Sequence, residues 1–230
     1  MTAFASGAPA ANRRLVLREV AGIEVRTSNP RETRLAFWIN TYNALIAHGI
    51  IALGLHRTMW DVPDFFDRIC CRVGSHLVSA GEVEHGILRG NRPHPLAITP
   101  PFGAEGPRRA WSITPLDPRI HCAINCGARS CPPVRVYVPD QVDAQLDAAA
   151  RAFVNREVAL GADRLTATEL FRWFAGDFAE HPDGLAGLLV RYLAEGPVRA
   201  ALWTQGLGGV TWRRYDWRLA PLPGEPHPQG

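Results

Sequence analysis

The feature that most constrains the fold of this chain is one long apolar segment. Residues 34–53 read RLAFWINTYNALIAHGIIAL, which is apolar around much of a helical circumference. An Asn-Pro pair precedes this segment as a start signal, so the sequence predicts a buried helix over residues 32–53. Asn40 and Asn43 lie three positions apart on it, and a buried amide is costly unless it is hydrogen-bonded. We therefore expect both amides to bind polar groups near the cysteine loop described below.

Length and composition predict one globular domain. The chain has 230 residues, of which 47% are hydrophobic and 20% charged, and such a chain can bury a substantial core. We expect a flexible leader over residues 1–30, a single α+β domain over 31–220, and a disordered tail rich in Pro and Gly over 221–230. In this fold a small sheet packs against several helices.

Charge and cysteine content narrow the classes of partner. The 25 basic and 22 acidic residues are scattered, which argues against a nucleic-acid or membrane partner. The first ten residues lack the basic start and Leu-rich stretch of a signal peptide. The five cysteines are odd in number and clustered, which favours thiols over extracellular disulfides. We expect a cytoplasmic protein with a small-molecule or peptide substrate.

The sequence predicts a small sheet whose strands flank the cysteine-rich motif at residues 121–131. Residues 119–125 alternate with period two, which predicts a strand with His121 and Asn125 on one face. A second strand-like run follows over residues 134–138. We expect both strands to pack against the helix at 32–53.

Other segments carry weaker signals. Residues 60–66 predict a turn and short helix, and residues 70–74 a strand that enters a hairpin. Ser79 and Glu82 have the spacing of a capping box, which predicts a short helix running to Arg89. Further helices are expected over residues 140–158, 168–178 and 184–193. The Pro- and Gly-rich residues 91–106 are a candidate for a mobile flap.

The strongest chemical motif is His121 followed by Cys126, Ser130 and Cys131. Gly127 permits a tight turn there, and Ser130 or backbone amides can donate hydrogen bonds. Free cysteines are also common as small buried apolar residues, which is the reading we favour for Cys122 on the isoleucine face.

A second polar cluster consists of Glu84, His85 and Arg89. His85 and Arg89 are four residues apart and should share one face of the short helix. Together with Glu84 they could orient or activate a thiol, or they could form a structural ion-pair network at a helix end.

Taken together, these motifs resemble one known family. The matching segments are Phe37-Trp38-Ile39-Asn40-Thr41-Tyr42-Asn43, Glu84-His85-Gly86-Ile87-Leu88-Arg89, Asp117-Pro118-Arg119-Ile120-His121, Ala123, Cys126-Gly127-Ala128, Ser130-Cys131-Pro132 and Tyr215-Asp216-Trp217. In this order they resemble the family named domain of unknown function 547. The resemblance implies no settled activity, but it favours a site at which the three polar motifs converge.

Four functions fit these residues. The first is a thiol hydrolase or acyltransferase, in which Cys126 or Cys131 is the nucleophile, His121 or His85 the base, and Glu84 or an asparagine the orienting group. The second is redox cycling of Cys126 and Cys131 through a disulfide, and the third is a zinc site. The fourth is a non-catalytic binding domain.

We rank the acyl-transfer hypothesis first, with no cofactor and no metal. Between the two thiols we favour Cys131, because a loop position after Ser130 predicts exposure and nearby amide donors. Asn40, Asn43, Arg89 and Ser130 are expected to bind or brace the site.

Overall fold

The chain folds around α1, the helix predicted from its apolar segment. A computed structural model describes residues 15–17, 27–161 and 164–220. The helix α1 spans Arg31–Ala52, and most of its apolar side chains are buried. By length and composition it could cross a bilayer, but 61% of its apolar window is buried inside the fold, as in core helices of soluble proteins.

Within the described residues, six strands form two small sheets. The first sheet has the order β1-β2-β3, from β1 (Leu15–Leu17), β2 (Ile69–Val73) and β3 (His76–Ser79). β2 runs parallel to β1 and pairs with β3 as the predicted hairpin, with Cys70 opposite Ser79. The second sheet has the order β4-β5-β6, from β4 (Ala159–Leu160), β5 (Leu165–Thr168) and β6 (Thr211–Arg213).

The other helices in the described residues are α2 (Phe65–Arg68), α3 (Val142–Glu157), α4 (Leu170–Trp173), α5 (Ala175–Phe178), α6 (Gly184–Tyr192) and α7 (Pro197–Gln205). Of these, α2 packs against the first sheet, and α3, α4 and α7 pack against the second. Short 3₁₀ turns occupy Met59–Asp61, Pro107–Trp111, Pro118–Cys122 and Pro139–Gln141, and a π-helix occupies Glu82–Leu88. α1 packs against β2, the π-helix and α3, and α3 packs against α6.

One continuous cluster of buried residues forms the core, so the described residues make a single α+β domain as predicted. Strand β1 lies within the range predicted as a leader and pairs with β2. The rest of residues 1–26 and the whole predicted tail at 221–230 lie outside the described residues. The domain boundary at residue 30 therefore stays a prediction.

The predicted strand over residues 119–125 is wrong. Its first half is the 3₁₀ turn Pro118–Cys122, because the Asp117 side chain accepts a hydrogen bond from the Arg119 N–H and a proline occupies the first position. His121 and Asn125 therefore do not share a strand face. Residues 120–124 are all buried, so the alternation of apolar residues did not mark one buried face.

The predicted strand over residues 134–138 is also wrong. The segment is extended, but within the described part of the chain no strand pairs with it. Instead, the backbone N–H and C=O of Tyr137 bind the side-chain amide of Asn40 at 2.9 and 2.7 Å. The sheets that pack on the helices are formed by other segments.

Candidate functional site

The cysteine loop is held in place by asparagine side chains. Asn43 on α1 donates to the Ala123 carbonyl at 3.2 Å and accepts from the Asn125 N–H at 2.8 Å. Asn125 in turn accepts from the Gly127 N–H at 2.7 Å and donates to the Pro132 carbonyl at 2.6 Å. The expectation for Asn43 is confirmed, and Asn40 is bonded as expected, although its partner is Tyr137 on the segment that follows the loop.

The loop brings the sulfurs of Cys126 and Cys131 to 2.6 Å from each other. The Cys126 N–H donates to the Cys131 Sγ at 3.1 Å. The Tyr215 hydroxyl lies 3.0 Å from the Cys131 Sγ and 3.7 Å from the Cys126 Sγ. The two thiols and this phenol therefore form one hydrogen-bonded group.

This environment makes Cys131 the better thiolate. Burial raises its pKa, but hydrogen bonds from the Cys126 thiol, from Tyr215 and from the backbone amides of Cys126 and Ala128 outweigh burial and lower it. The pKa of Cys126 is raised, first by its hydrogen bond to Cys131 and then by burial. Of the two thiols, Cys131 is therefore the one that loses its proton more readily.

The expected exposure of Cys131 is wrong. Cys131 is only 5% exposed, whereas Cys126 is half-buried. The Cys131 side chain points inward, where its sulfur is hydrogen-bonded to the Cys126 N–H and the Tyr215 hydroxyl. Cys122 is buried, and burial raises its pKa, in agreement with a packing role.

Ser130 positions the C-terminal segment that carries Tyr215. The Ser130 Oγ accepts from the Asp216 N–H at 2.9 Å. Beside it, the Arg129 N–H donates to the Arg218 carbonyl at 2.8 Å, and Ala128 forms an isolated bridge with Leu219. Ser130 therefore acts on the thiols through Tyr215.

The second motif lies on the π-helix. The capping box is confirmed, because the Ser79 and Glu82 side chains accept each other's backbone N–H at 3.1 and 2.9 Å. The Tyr42 hydroxyl donates to the Glu84 carboxylate at 2.8 Å. Arg89 lies 2.9 Å from the Nδ1 of His85, and because arginine only donates, this nitrogen is an acceptor.

His85 is held neutral by its surroundings. Burial lowers its pKa to about 4. The nearby Glu84 carboxylate opposes this shift in part, and the positive charge of Arg89 lowers the pKa further, by less than Glu84 raises it. At neutral pH His85 therefore has an unprotonated Nδ1 that is already occupied by Arg89.

The third group is a buried imidazole–carboxylate pair. The His121 Nε2 lies 2.9 Å from Asp177 Oδ2, and the imidazole stacks on Phe174 with ring centroids 4.1 Å apart. Arg89 donates two hydrogen bonds to Asp177 at 2.5 and 3.1 Å, and Arg92 donates a third at 3.1 Å. Burial raises the pKa of Asp177, but the hydrogen bonds from His121 and Arg89 outweigh it and lower this pKa well below its usual value.

These groups meet in one cleft of about 1050 Å³. Glu84, His85, His121, Cys126 and Cys131 all line it, so the predicted catalytic residues do converge. By contrast, Asn40, Asn43, Arg89 and Ser130 do not line the cleft. Arg89 contacts the lining residue His85, and Asn43 and Ser130 bind backbone next to lining residues, whereas Asn40 binds Tyr137, which lies outside the cleft. The cleft is closed on one side by the loop of the predicted flap, through residues 94–97 and 99–101.

No imidazole of the described part of the chain is hydrogen-bonded to either thiol. Among the described residues, the hydrogen-bonding partners of the two sulfurs are each other, Tyr215 and backbone amides. His121 and His85 instead bind Asp177 and Arg89. In the ranges 27–161 and 164–220, no group of three His, Cys, Asp or Glu side chains is arranged to hold a metal ion.

Several residues of the site were not predicted. Asp177 lies on α5, 56 residues after its partner His121, and no local pattern marks it. Tyr42 and Tyr215 lie within the motifs quoted for the resemblance, and a buried phenol needs a partner, which was an available signal. The tryptophans that line the cleft, Trp60, Trp173 and Trp217, were also missed.

Comparison with known proteins gave one match. A family model described as "Protein of unknown function, DUF547" matches residues 26–154. That range contains the cysteine loop, the π-helix and both asparagines of α1, and it excludes Asp177 and Tyr215. Searches of curated proteins and of solved structures found no match.

Proposed function

The chain belongs to the DUF547 family, whose function is unknown, and from the chemistry of its cleft we propose that it is a thiol–disulfide oxidoreductase. The proposed redox-active cysteines are Cys126 and Cys131. The observation that carries this proposal is the 2.6 Å separation of their sulfurs in the wall of a cleft. Two nonbonded sulfurs so close need only a small movement to form a bond of about 2.05 Å.

The asymmetry of the pair supports a defined order of steps. The Cys131 thiolate attacks one sulfur of a substrate disulfide, and the other sulfur leaves as a thiolate. Cys126 then loses its proton and attacks the Cys131 sulfur, which releases the second substrate thiolate. The products are a Cys126–Cys131 disulfide and a substrate reduced by two electrons, and the reverse sequence oxidises a substrate dithiol.

Access to the sulfurs restricts the substrate. Cys131 is buried, Cys126 is half-buried, and both thiols line the cleft. The proposed substrate is therefore a small molecule or an extended peptide that enters the cleft. In the cytoplasm, the compartment we propose, the resting form of the pair is the dithiol.

The test is to equilibrate the full chain in dithiothreitol buffers of graded potential and to count free thiols by maleimide labelling and intact mass. We expect the two free thiols of Cys126 and Cys131 to disappear together as the potential rises, with a mass loss of about 2 Da for the one disulfide formed. Cys126→Ser and Cys131→Ser should each abolish this loss, and the buried Cys122→Ser serves as the matched control that keeps it. The proposal would be refuted if Cys126 and Cys131 stayed reduced in buffers oxidising enough to convert small-molecule dithiols to disulfides.

A second candidate is thiol-dependent acyl transfer. The observation that favours it is the His121–Asp177 pair, which lines the same cleft as the thiols. In this mechanism His121, oriented by Asp177, takes the Cys131 proton, and the thiolate attacks a thioester or ester carbonyl. The leaving group departs with that proton from the imidazolium, and water or an acceptor nucleophile then takes the acyl group from Cys131 and returns a proton to the imidazole.

The two candidates differ in their need for Cys126. Acyl transfer uses one nucleophile, so Cys126→Ser keeps activity with thioester probes, whereas Cys131→Ser and His121→Gln lose it. Redox cycling needs both thiols. If neither Cys126→Ser nor Cys131→Ser changes any thiol or acyl-transfer activity, the remaining hypothesis is a non-catalytic binding domain.

A further inference from the structure

A continuous strip of four aromatic rings begins at the cysteine pair. The Tyr215 hydroxyl lies 3.0 Å from the Cys131 Sγ, and the centroid of the Tyr215 ring lies 4.8 Å from that of Trp217 and 5.3 Å from that of Trp173. The Trp217 ring in turn lies 4.9 Å from the ring of Trp60. All four rings line the cleft. The strip therefore connects the reactive sulfur to Trp60, whose side chain is 55% exposed.

The rings of the aromatic strip are inclined to each other at different angles. Trp173 and Trp217 are stacked at 5.7 Å with an interplanar angle of 19°. Trp60 is inclined to Trp217 at 64°, and Tyr215 is inclined to Trp217 at 53°. Aromatic pairs prefer offset-stacked or edge-to-face arrangements. The strip can therefore form both kinds of pair with the ring of a ligand.

The fold covers the aromatic strip only in part. Tyr215 is buried, whereas Trp173 and Trp217 are half-buried and Trp60 is exposed. Leu96, on the loop that closes one side of the cleft, is also exposed. Apolar surface that faces water in a cleft gains free energy when a ligand covers it. This part of the cleft therefore favours an apolar ligand.

Three polar side chains of the same cleft are held by partners within the protein. Glu84 accepts a hydrogen bond from Tyr42, the Nδ1 of His85 accepts one from Arg89, and the His121 Nε2 lies 2.9 Å from a carboxylate on α5. These contacts compete with hydrogen bonds to a ligand, whereas the rings of the strip need no bond to be broken before they pack on one.

Size and burial favour a small molecule over a disulfide in a folded protein. The cleft has a volume of about 1050 Å³, at the upper end of the range for small-molecule pockets. Cys131 is only 5% exposed, so a substrate sulfur must enter the cleft to reach it. A disulfide fixed on the surface of a folded partner does not extend far enough to do so.

We propose that the substrate of the cysteine pair is a small disulfide that carries an aromatic ring one or two carbons from a sulfur. When this sulfur meets Cys131, the ring packs on Tyr215 and the two stacked tryptophans. The Cys131 thiolate bonds to the ring-bearing sulfur, and the other substrate sulfur leaves as a thiolate. Cys126 then attacks Cys131 and releases the ring-bearing thiolate, and the Cys126 proton ends on one of the two released sulfurs. This inference rests on the proposed function, because it takes the two thiols as the reacting groups.

The first experiment measures binding without thiol exchange. Benzyl methyl sulfide, cyclohexylmethyl methyl sulfide and ethyl methyl sulfide each carry a sulfur that cannot exchange with a thiol, beside an aromatic ring, an aliphatic ring and a short chain. Their dissociation constants for the reduced full chain are measured by ligand-detected NMR titration. We expect the benzyl compound to bind at least about tenfold more tightly than the ethyl compound and about threefold more tightly than the cyclohexylmethyl compound. Equal affinities of the two ring compounds, or no binding of the benzyl compound, would overturn the proposal.

Two variants locate the bound ring. Trp217→Leu keeps an apolar side chain but removes the central ring of the strip, so it should weaken the benzyl compound about fivefold and leave the ethyl compound unchanged. Trp60→Leu, at the exposed end of the strip, should act in the same direction and is the second variant if Trp217→Leu does not fold. Trp203→Leu is the matched control, because Trp203 is exposed on α7 and does not line the cleft. An equal effect of Trp203→Leu would overturn the proposal.

The second experiment measures exchange. The rates at which dibenzyl disulfide and diethyl disulfide oxidise the reduced pair are each divided by the rate of the same disulfide with free dithiothreitol. We expect this ratio to be at least about fivefold larger for the dibenzyl compound, and Trp217→Leu should remove the difference. If a capped phenylalanyl-S-methylcysteine peptide binds and benzyl methyl sulfide does not, the substrate is a polypeptide and the small-molecule proposal is overturned.

The two proposals fail in different ways. Ring-selective binding together with a pair that cannot be oxidised refutes the redox function and supports the aromatic specificity of the cleft. Oxidation of the pair together with binding and exchange that do not depend on the ring refutes the specificity alone.

Discussion

The Tyr215 hydroxyl lies 3.0 Å from the Cys131 Sγ, although 84 residues separate the two in sequence. Ser130 connects them structurally, because its hydroxyl holds the backbone of Asp216 beside the loop. A phenol that donates to a thiolate stabilises the charged form of the thiol. The relationship therefore links the C-terminal segment to the reactivity of the cysteine pair.

Replacement of Tyr215 by Phe tests this link. The variant keeps the ring that packs against Trp173 and Trp217 but loses the donor. Because the hydrogen bond from Tyr215 favours the charged form of the thiol, its loss should raise the pKa of Cys131. The rate of Cys131 alkylation by iodoacetamide is measured against pH by peptide mass spectrometry. The midpoint of this pH profile should then lie at a higher pH than in the unmodified chain.

The matched control for that experiment is Tyr192→Phe. It also removes a phenolic hydroxyl, but this hydroxyl donates to the Asp147 carboxylate, away from the thiols. It should leave the alkylation profile unchanged. An unchanged profile for Tyr215→Phe would show that the phenol does not stabilise the thiolate.

Replacement of Asn43 by Ala should destabilise the fold. The change leaves the Ala123 carbonyl and the Asn125 N–H without their partners in a buried region. Each unsatisfied buried group costs about 1–3 kcal/mol, so we expect a loss of roughly 2–4 kcal/mol in the free energy of unfolding, measured by urea denaturation. Asn40→Ala, at a half-buried position, should cost less, and a larger loss there would contradict this ranking.

The helical part of the fold was predictable because its signals are local. The apolar circumference of α1, the helical spacing in α3 and the capping box at Ser79 each act within a few residues. The two wrong strands failed for different reasons. The turn Pro118–Cys122 is set by the local Asp117 cap and proline, signals that the alternation of apolar residues outweighed in the prediction. The extended segment 134–138 is held by a distant side chain, because Asn40 binds Tyr137 across 97 positions.

The site was predictable as a set of residues and not as a set of contacts. The sequence placed Cys126, Cys131, His121 and His85 together, and all four line one cleft. It could not show that His121 binds Asp177 while Cys131 binds Tyr215, because both partners come from segments far along the chain. The inward position of Cys131 has the same origin, since loop membership alone suggested exposure.

Gly127 is the residue of the loop least able to accept a side chain. Its φ is +88°, and a Cβ there would lie 2.4 Å from Ile50 Cδ1 on α1. Gly127→Ala combines backbone strain with a steric clash, so we expect a loss of about 2–4 kcal/mol in the free energy of unfolding. Urea denaturation measures this loss, and faster alkylation of Cys131 should accompany it because the loop is displaced.

The control for this variant is Gly103→Ala, where a Cβ meets nothing within 4 Å. Its effect should stay within about 0.5 kcal/mol. If Gly127→Ala were equally well tolerated, the loop would have to shift freely against α1, contrary to its asparagine hydrogen bonds.

The last prediction concerns stability in mild acid. Burial and Arg89 lower the pKa of His85 to about 4, against about 6.5 in an unfolded chain. Between these values the unfolded state binds one proton more than the folded state, so stability rises with pH across this window. The contribution is complete above pH 6.5 and is lost as the pH falls to about 4, a change of at most about 3 kcal/mol. His85→Gln keeps an acceptor for Arg89 but cannot be protonated, and its unfolding free energy, measured in urea from pH 4 to 7, should depend less steeply on pH. The exposed His56→Gln is the control and should keep the slope of the unmodified chain. A slope that persists in His85→Gln would mean that another group binds the proton on unfolding and that His85 is not held neutral by its burial beside Arg89.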